Sequence, residues 1–159
     1  MFTTELLKPK GGVARVALHT ADAVGSLAVG DEGCRVRFAD EPLEVLLTDD
    51  RSLFEEQLSV EEGVMSVEHR LTMVADRNHA PQWLETEFLY RATHEGLIAE
   101  VVLNDSRRLL VGYSLRLQGE QPLRLQSLTA ASGQRPNDTP TLTLTLAATD
   151  AEMAMPIVD

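Results

Sequence analysis

The chain has 159 residues and a net charge of −11, and these numbers exclude several classes of protein. The length predicts one domain over residues 1–159, large enough to bury a core without disulfides or metals. A single cysteine, Cys34, cannot form an intramolecular disulfide. The sequence contains no run of 18 apolar residues, so it predicts no membrane span. It also contains no basic stripe, so it does not predict sequence-specific nucleic acid binding.

The acidic residues are concentrated in the middle of the chain. Between Asp31 and Glu100 there are 17 acidic and 6 basic residues, so this stretch carries the whole excess of negative charge. Solubility accounts for such an excess. An anionic surface would also repel nucleic acid or recruit a basic partner, and the sequence leaves both interpretations open.

The first residues, 1–12, form a leader that ends at a Gly-Gly pair. The leader lacks the basic start and apolar core of a secretory signal, so we expect synthesis in the cytoplasm and a loosely held segment. Short strands are then predicted by alternation and by turn residues at 13–18, 24–29, 34–38 and 44–48, with a turn at 19–22.

A long two-faced hairpin dominates the next stretch, with arms at 53–60 and 64–74 and an acidic turn at 61–63. Its period-2 alternation is typical of half-buried strands. We hypothesise that the apolar face of the hairpin makes contacts between subunits, through Phe54, Leu58, Val60, Met65, Val67 and Leu71. We further hypothesise an acidic face made of Glu55, Glu61, Glu62 and Glu68.

One α-helix is predicted over residues 81–94. Pro81 suits its first position, and Gly96 is placed to end it. Its apolar face would cover one sheet or the mouth of one barrel.

Strands resume after this helix, at 97–103, 109–117, 123–128 and 141–146, and Gly112 indicates a bulge or a close approach. The loop at 132–140 is a candidate mobile contact segment through Arg135, Asn137 and Asp138. The tail at 150–159 is expected to be loosely held. These elements predict a mainly β fold, a β-barrel or sandwich with one long hairpin and one flanking helix.

No arrangement of residues indicates catalysis. The four histidines, His19, His69, His79 and His94, lack metal-ligand spacing, and no P-loop, Gly-x-Ser-x-Gly or dinucleotide-binding motif is present. The carboxylates are too numerous to single out a catalytic pair, and a solvated face explains them. The sequence therefore predicts a protein that is not an enzyme, with no metal and no cofactor.

Several segments of the second half together resemble a known class of protein. They are Glu95–Ile98, Leu110–Ser114, Gln121–Leu125, Ser132–Gly133, Asp138–Leu144 and Thr149–Asp150. Over roughly residues 55–155, the chain resembles small phage tail or virion structural proteins encoded in prophages. The resemblance implies a tail-tube-like protomer that forms rings, with a hexamer as one ring size, and that contacts other tail proteins. It also implies synthesis in a bacterial host and a place in the virion.

Physical reasoning agrees with this resemblance at two points. A long hairpin can extend past its own sheet and pair with the edge of a neighbour. An acidic lumen would let DNA slide without adsorbing. The alternative is a small-molecule-binding β-barrel with the helix as a lid. The scarcity of aromatic residues, seven in the chain, argues modestly against that alternative.

Overall fold

A computed structural model describes residues 11–48, 51–114, 117 and 119–158. The predicted leader therefore lies outside the described residues, apart from Gly11 and Gly12.

The mainly β class is confirmed. The described strands are β1 (Val13–Thr20), β2 (Val24–Gly30), β3 (Gly33–Phe38), β4 (Leu43–Glu44), β5 (Leu53–Glu61), β6 (Val64–Asp76), β7 (Leu97–Leu103), β8 (Arg108–Val111), β9 (Tyr113–Ser114), β10 (Gly119–Glu120), β11 (Arg124–Ala131), β12 (Thr141–Asp150) and β13 (Met155–Pro156).

Two antiparallel sheets pack face to face around one main core. The first has the order β13-β8-β7-β1-β4 and the second the order β11-β12-β6-β5. The core between them is made of β1, β7 and β8 side chains from one sheet and β6 and β12 side chains from the other. Of the two predicted architectures, barrel and sandwich, the described strands form the sandwich. Two further hairpins, β2–β3 and β9–β10, lie outside these sheets.

Strand β12 illustrates how alternation positions the second sheet. Leu142, Leu144 and Leu146 are buried in the core, whereas the threonines between them point to the other face and are only half-buried. Because successive side chains of a strand point to opposite faces, this pattern fixes which face of the sheet is solvated. The outer face of this sheet is therefore polar.

The predicted helix is shorter than the sequence indicates. Two 3₁₀ turns, Arg77–His79 and Pro81–Leu84, precede an α-helix, α1, that spans Thr86–His94. Glu85 has extended backbone angles, with φ −71° and ψ 134°, and interrupts the helical run. Pro81 is compatible with the first turn of either kind of helix, so it cannot distinguish them. The burial of Trp83 within the 3₁₀ turn is a tertiary effect that the local sequence does not encode.

Two strand predictions and one turn prediction need correction. The strand predicted at 109–117 is interrupted at Gly112, which has φ +100° and lies so close to Leu97 that a Cβ would be 3.0 Å from its carbonyl oxygen. A second strand, β9, follows at Tyr113–Ser114, and residues 115 and 116 lie outside the described residues. The turn predicted at 19–22 begins later, since His19 and Thr20 still pair with β7. The strand predicted at 44–48 is reduced to β4 and one isolated bridge between Leu47 and Ala75.

The tail at 150–159, predicted to be loosely held, contains a short strand and hydrogen bonds to the rest of the fold. Strand β13 pairs with β8, and the Val158 amide donates a hydrogen bond to the Cys34 carbonyl at 2.8 Å. Ile157 is buried in a second, smaller core with Cys34 and Leu110. Residues 151–158 thus connect the end of β12 in one sheet to the edge of the other sheet.

Candidate functional site

The β5–β6 hairpin extends beyond the sheet to which it belongs. Strand β6 pairs with β12 only as far as Val67, opposite Asp150, whereas β5 and β6 stay paired to Glu61 and Val64. The distal part is therefore a two-stranded ribbon with no third strand. Its apolar side chains are exposed, with fractions of 50% for Leu58, 60% for Val60, 68% for Val64 and 44% for Met65.

The six predicted contact residues share one face of the hairpin but divide into two groups. Val67 and Leu71 are fully buried in the core of the chain, and Phe54 packs against that core. These three side chains cannot reach a partner unless the sandwich opens. The other three are exposed: Val60 and Met65 lie directly opposite each other on the distal ribbon, and Leu58 lies at its base, opposite Val67. We call these three residues the ribbon patch.

The predicted acidic residues lie on the opposite face of the hairpin, except for Glu62 at its turn. Glu55 is opposite Arg70, and Arg70 makes a 2.8 Å ion pair with Glu68. Both members of that pair are about half exposed, so the pair itself contributes at most about 1 kcal/mol. This face continues into the threonine-rich outer face of β12. The result is a polar, weakly acidic surface.

The second sheet has two edge strands, one of which, β11, contacts helix α1. Strand β5 forms one edge and strand β11 the other, and they are nine and eight residues long. Each presents a row of backbone N–H and C=O groups that no described strand pairs. Long open edges are templates for pairing with another chain, and many proteins shorten, bend or cover them.

The turn of the hairpin contains an unfavourable residue. Glu62 and Gly63 form a two-residue loop, with φ angles of +52° and +80°. Two successive positive φ angles define a type I′ turn, for which Asn-Gly is favoured at these positions. A glutamate side chain in this backbone conformation costs free energy that asparagine avoids.

Replacing Glu62 with Asn should therefore stabilise the protein. We expect the free energy of unfolding to rise by about 0.5–1 kcal/mol, measured by urea denaturation. Glu61→Asn is the matched control, because it removes the same charge from a residue in β5. If both variants gain stability equally, relief of charge repulsion rather than turn geometry is the cause.

A buried histidine and a carboxylate meet at the base of the hairpin. His69 Nε2 lies 3.1 Å from Glu56 Oε2, within ion-pair distance, although the groups are not aligned as a hydrogen bond. Glu56 Oε2 also accepts a hydrogen bond from the Ala154 amide at 2.6 Å. Burial alone would raise the pKa of Glu56, but the His69 side chain and the Ala154 amide outweigh it and lower that pKa. Glu56 therefore links the hairpin to residues 151–158.

The predicted contact loop at 132–140 is exposed and internally hydrogen-bonded. The Asp138 side chain accepts hydrogen bonds from the backbone amides of Arg135 and Gln134, both at 3.0 Å. These two bonds lower the pKa of Asp138. Arg135 and Asn137 are exposed beside it. Whether this loop contacts a partner remains a prediction.

A second buried histidine fixes the end of β1. His19 Nδ1 lies 2.7 Å from Asp40 Oδ1, and its ring stacks on Phe38 with centroids 3.5 Å apart. Asp40 Oδ2 accepts a hydrogen bond from the Thr20 amide at 3.0 Å. Asp40 thus holds the segment after β3 against β1, a structural role.

A cleft of about 290 Å³ opens between this segment and α1. We call it the α1 cleft. Its apolar floor consists of Leu18, Leu43, Phe88 and Leu97, and its polar lining includes Asp40, Glu41, Gln82, Glu85, Glu87 and Arg91. The lining therefore contains four carboxylates and one guanidinium group. This cleft is the feature that the predicted small-molecule alternative would use, and that alternative stays a prediction.

Other kinds of site are not apparent in the described residues. Among residues 11–48, 51–114, 117 and 119–158, no group of three or more His, Cys, Asp or Glu side chains is arranged to hold a metal ion. Over the same ranges, no helix has the length and apolar character needed to cross a membrane.

Comparison with known proteins does not assign the chain to a family. No protein-family model matches the chain, and no curated protein matches it significantly.

Proposed function

We propose that this protein is a non-enzymatic structural protein, a tail-tube-like protomer that assembles into rings through its β5–β6 hairpin and its sheet edges. One observation carries the proposal: the hairpin extends past its sheet and exposes the ribbon patch, Leu58, Val60 and Met65, to solvent. Contiguous exposed apolar side chains on a projecting ribbon favour an interaction with another protein.

The partner that fits these features best is a second copy of the chain. The open edges β5 and β11 lie on opposite sides of one four-stranded sheet. Pairing β5 of one copy with β11 of the next is a head-to-tail contact, and such contacts close into a ring when the rotation between copies permits. The same step would bring the ribbon patch of one copy against its neighbour.

The chemistry of the outer sheet face suits a passage for DNA. In such a ring, the second sheet of each copy would continue into the next, with its threonines and with Glu55, Glu61 and Glu68 on one side. Polar and acidic groups do not adsorb phosphate, so a duplex could slide past them. Other tail proteins are the further partners in this proposal.

The proposal is tested by changing the ribbon patch without touching the core. Val60→Asp introduces a charge at a side chain that is 60% exposed, and Val29→Asp is a matched control because Val29 is 61% exposed in the separate β2–β3 hairpin. Sedimentation over a concentration series, with negative-stain electron microscopy, reports assembly. We expect rings for the unchanged chain and for Val29→Asp, and at least a tenfold weaker association for Val60→Asp, about 1.4 kcal/mol.

Circular dichroism should show the same folded spectrum for both variants, because neither side chain is buried. Assembly that persists unchanged in Val60→Asp would remove the ribbon patch from the interface. A chain that stays monomeric at every concentration, whether or not it carries either substitution, would contradict the proposal.

A further inference from the structure

The two lysines of the chain, Lys8 and Lys10, both fall in the leader, beside Leu6 and Leu7. The other basic residues are arginines. The leader is therefore a short apolar and basic segment attached to a strongly acidic protein. Its charge is opposite to that of the α1 cleft.

The α1 cleft contains polar groups without partners that could bind such a segment. The side-chain carboxylates of Glu41 and Glu85 have no ion-pair or hydrogen-bond partner among the described residues. The side-chain oxygen of Gln82 is buried there, also without a partner in the described part of the chain. The apolar floor offers a surface for leucine, and the rim offers carboxylates for lysine, whose flexible stem suits such an edge.

Gly11 and the α1 cleft are at opposite ends of β1. Gly12 and Gly11 are anchored to Asn104, whose amide and side chain donate hydrogen bonds to their carbonyls at 3.1 and 2.7 Å. The cleft is lined by residues at the other end of β1, roughly 25 Å away along eight strand residues. The chain upstream of Gly11 therefore enters β1 from the end remote from the cleft. This placement favours the cleft of another copy over the cleft of the same copy.

We propose that the leader of one copy docks in the α1 cleft of a neighbouring copy, with Leu6 and Leu7 on its apolar floor and Lys8 and Lys10 on its acidic rim. This inference rests on the proposed function, and it adds an end-to-end contact that is distinct from the edge contacts within a ring. Leu6 is five residues before Gly11, so even a fully extended backbone places it at most about 17 Å from Gly11, short of the cleft of the same copy.

Zero-length carbodiimide cross-linking of the full chain tests the proposal directly. Every lysine–carboxylate cross-link must involve the leader, because the chain contains no other lysine. An equal mixture of unlabelled and ¹⁵N-labelled protein separates links between copies from links within a copy. We expect mixed-isotope links from Lys8 or Lys10 to Glu41 or Glu85.

The Leu6→Ser, Leu7→Ser double variant keeps every reactive amine and carboxylate and changes nothing in the described fold. It should lower the yield of these links at least about tenfold, since burial of one leucine side chain is already worth that factor. Thr3→Ser, Thr4→Ser is the matched control and should leave the yield unchanged. Links to the α1 cleft found only within single copies, or links found only to other carboxylates, would overturn the inference.

Sedimentation of the same samples separates the two proposals. If rings form but the lysines link elsewhere, the docking inference fails and the ring proposal stands. If no assembly forms at any concentration, both proposals fail.

Discussion

Replacing Trp83 with Ala should destabilise the protein by about 3–5 kcal/mol, the range seen when a large aromatic side chain is removed from a core. Trp83 is fully buried and belongs to the main core, where the 3₁₀ turn brings it beneath α1. For a chain of this length the melting temperature should fall by roughly 10 °C. Urea denaturation followed by far-UV circular dichroism measures the loss without using tryptophan fluorescence.

Trp83→Phe is the matched control for this prediction. The Trp83 ring nitrogen is buried and has no hydrogen-bond partner among the described residues. Phenylalanine therefore loses volume but no hydrogen bond, and the cost should stay near 1 kcal/mol. A loss below about 1 kcal/mol for Trp83→Ala would show that the helix and the sandwich do not depend on this side chain.

Replacing Glu56 with Ala should cost about 2 kcal/mol, because the carboxylate serves the buried His69 ring and the partly buried Ala154 amide at once. The change leaves His69 without its ion-pair partner and the Ala154 amide without its acceptor. Glu55→Ala is the matched control, since Glu55 is the next residue along β5 but points to the exposed outer face. Its cost should stay within about 0.5 kcal/mol. Equal losses for the two variants would contradict a specific role of Glu56.

The contribution of Glu56 should also depend on pH. Its pKa in the folded protein is lower than the usual value of 4.5, so the ionised form favours folding. That stabilisation is fully present above the unfolded pKa and is lost as the pH falls through the lowered folded value. The stability difference between the unchanged chain and Glu56→Ala should therefore shrink as the pH falls below about 4.5. A difference that stays constant to pH 3 would show that charge is not involved.

The register of the hairpin shows what the sequence could and could not predict. The alternation of apolar and polar residues correctly predicted which residues share each face of the hairpin. The face on which a side chain lies depends only on its position along its own strand. The predicted three-residue turn at 61–63 was wrong by one residue, since Glu61 belongs to β5 and pairs with Val64. A two-residue turn at Glu62 and Gly63 sets Glu56 opposite His69. The ion pair could thus have been found from the Glu-Gly turn alone.

Other features depend on contacts that are distant in the sequence. Ile157 is buried because β13 pairs with β8, and Met155 lies opposite Leu110, about 45 residues earlier. A short segment next to acidic residues gives no local sign of this pairing. The α1 cleft likewise joins residues from β1, from the segment after β3 and from α1. Local patterns identify strands, but they do not identify which strands meet.

The order of the strands in the second sheet also has a consequence for biosynthesis. Strand β6 lies between β5, which the ribosome completes just before it, and β12, which begins about 65 residues later. At about 5–20 residues per second this interval lasts several seconds. Throughout that time β6 lacks its neighbour β12, although strands β1, β7 and β8 of the facing sheet are complete by Val111. The nascent chain therefore carries an unpaired β6 edge, a template for aggregation, until translation has passed residue 150, and the second sheet can close only then.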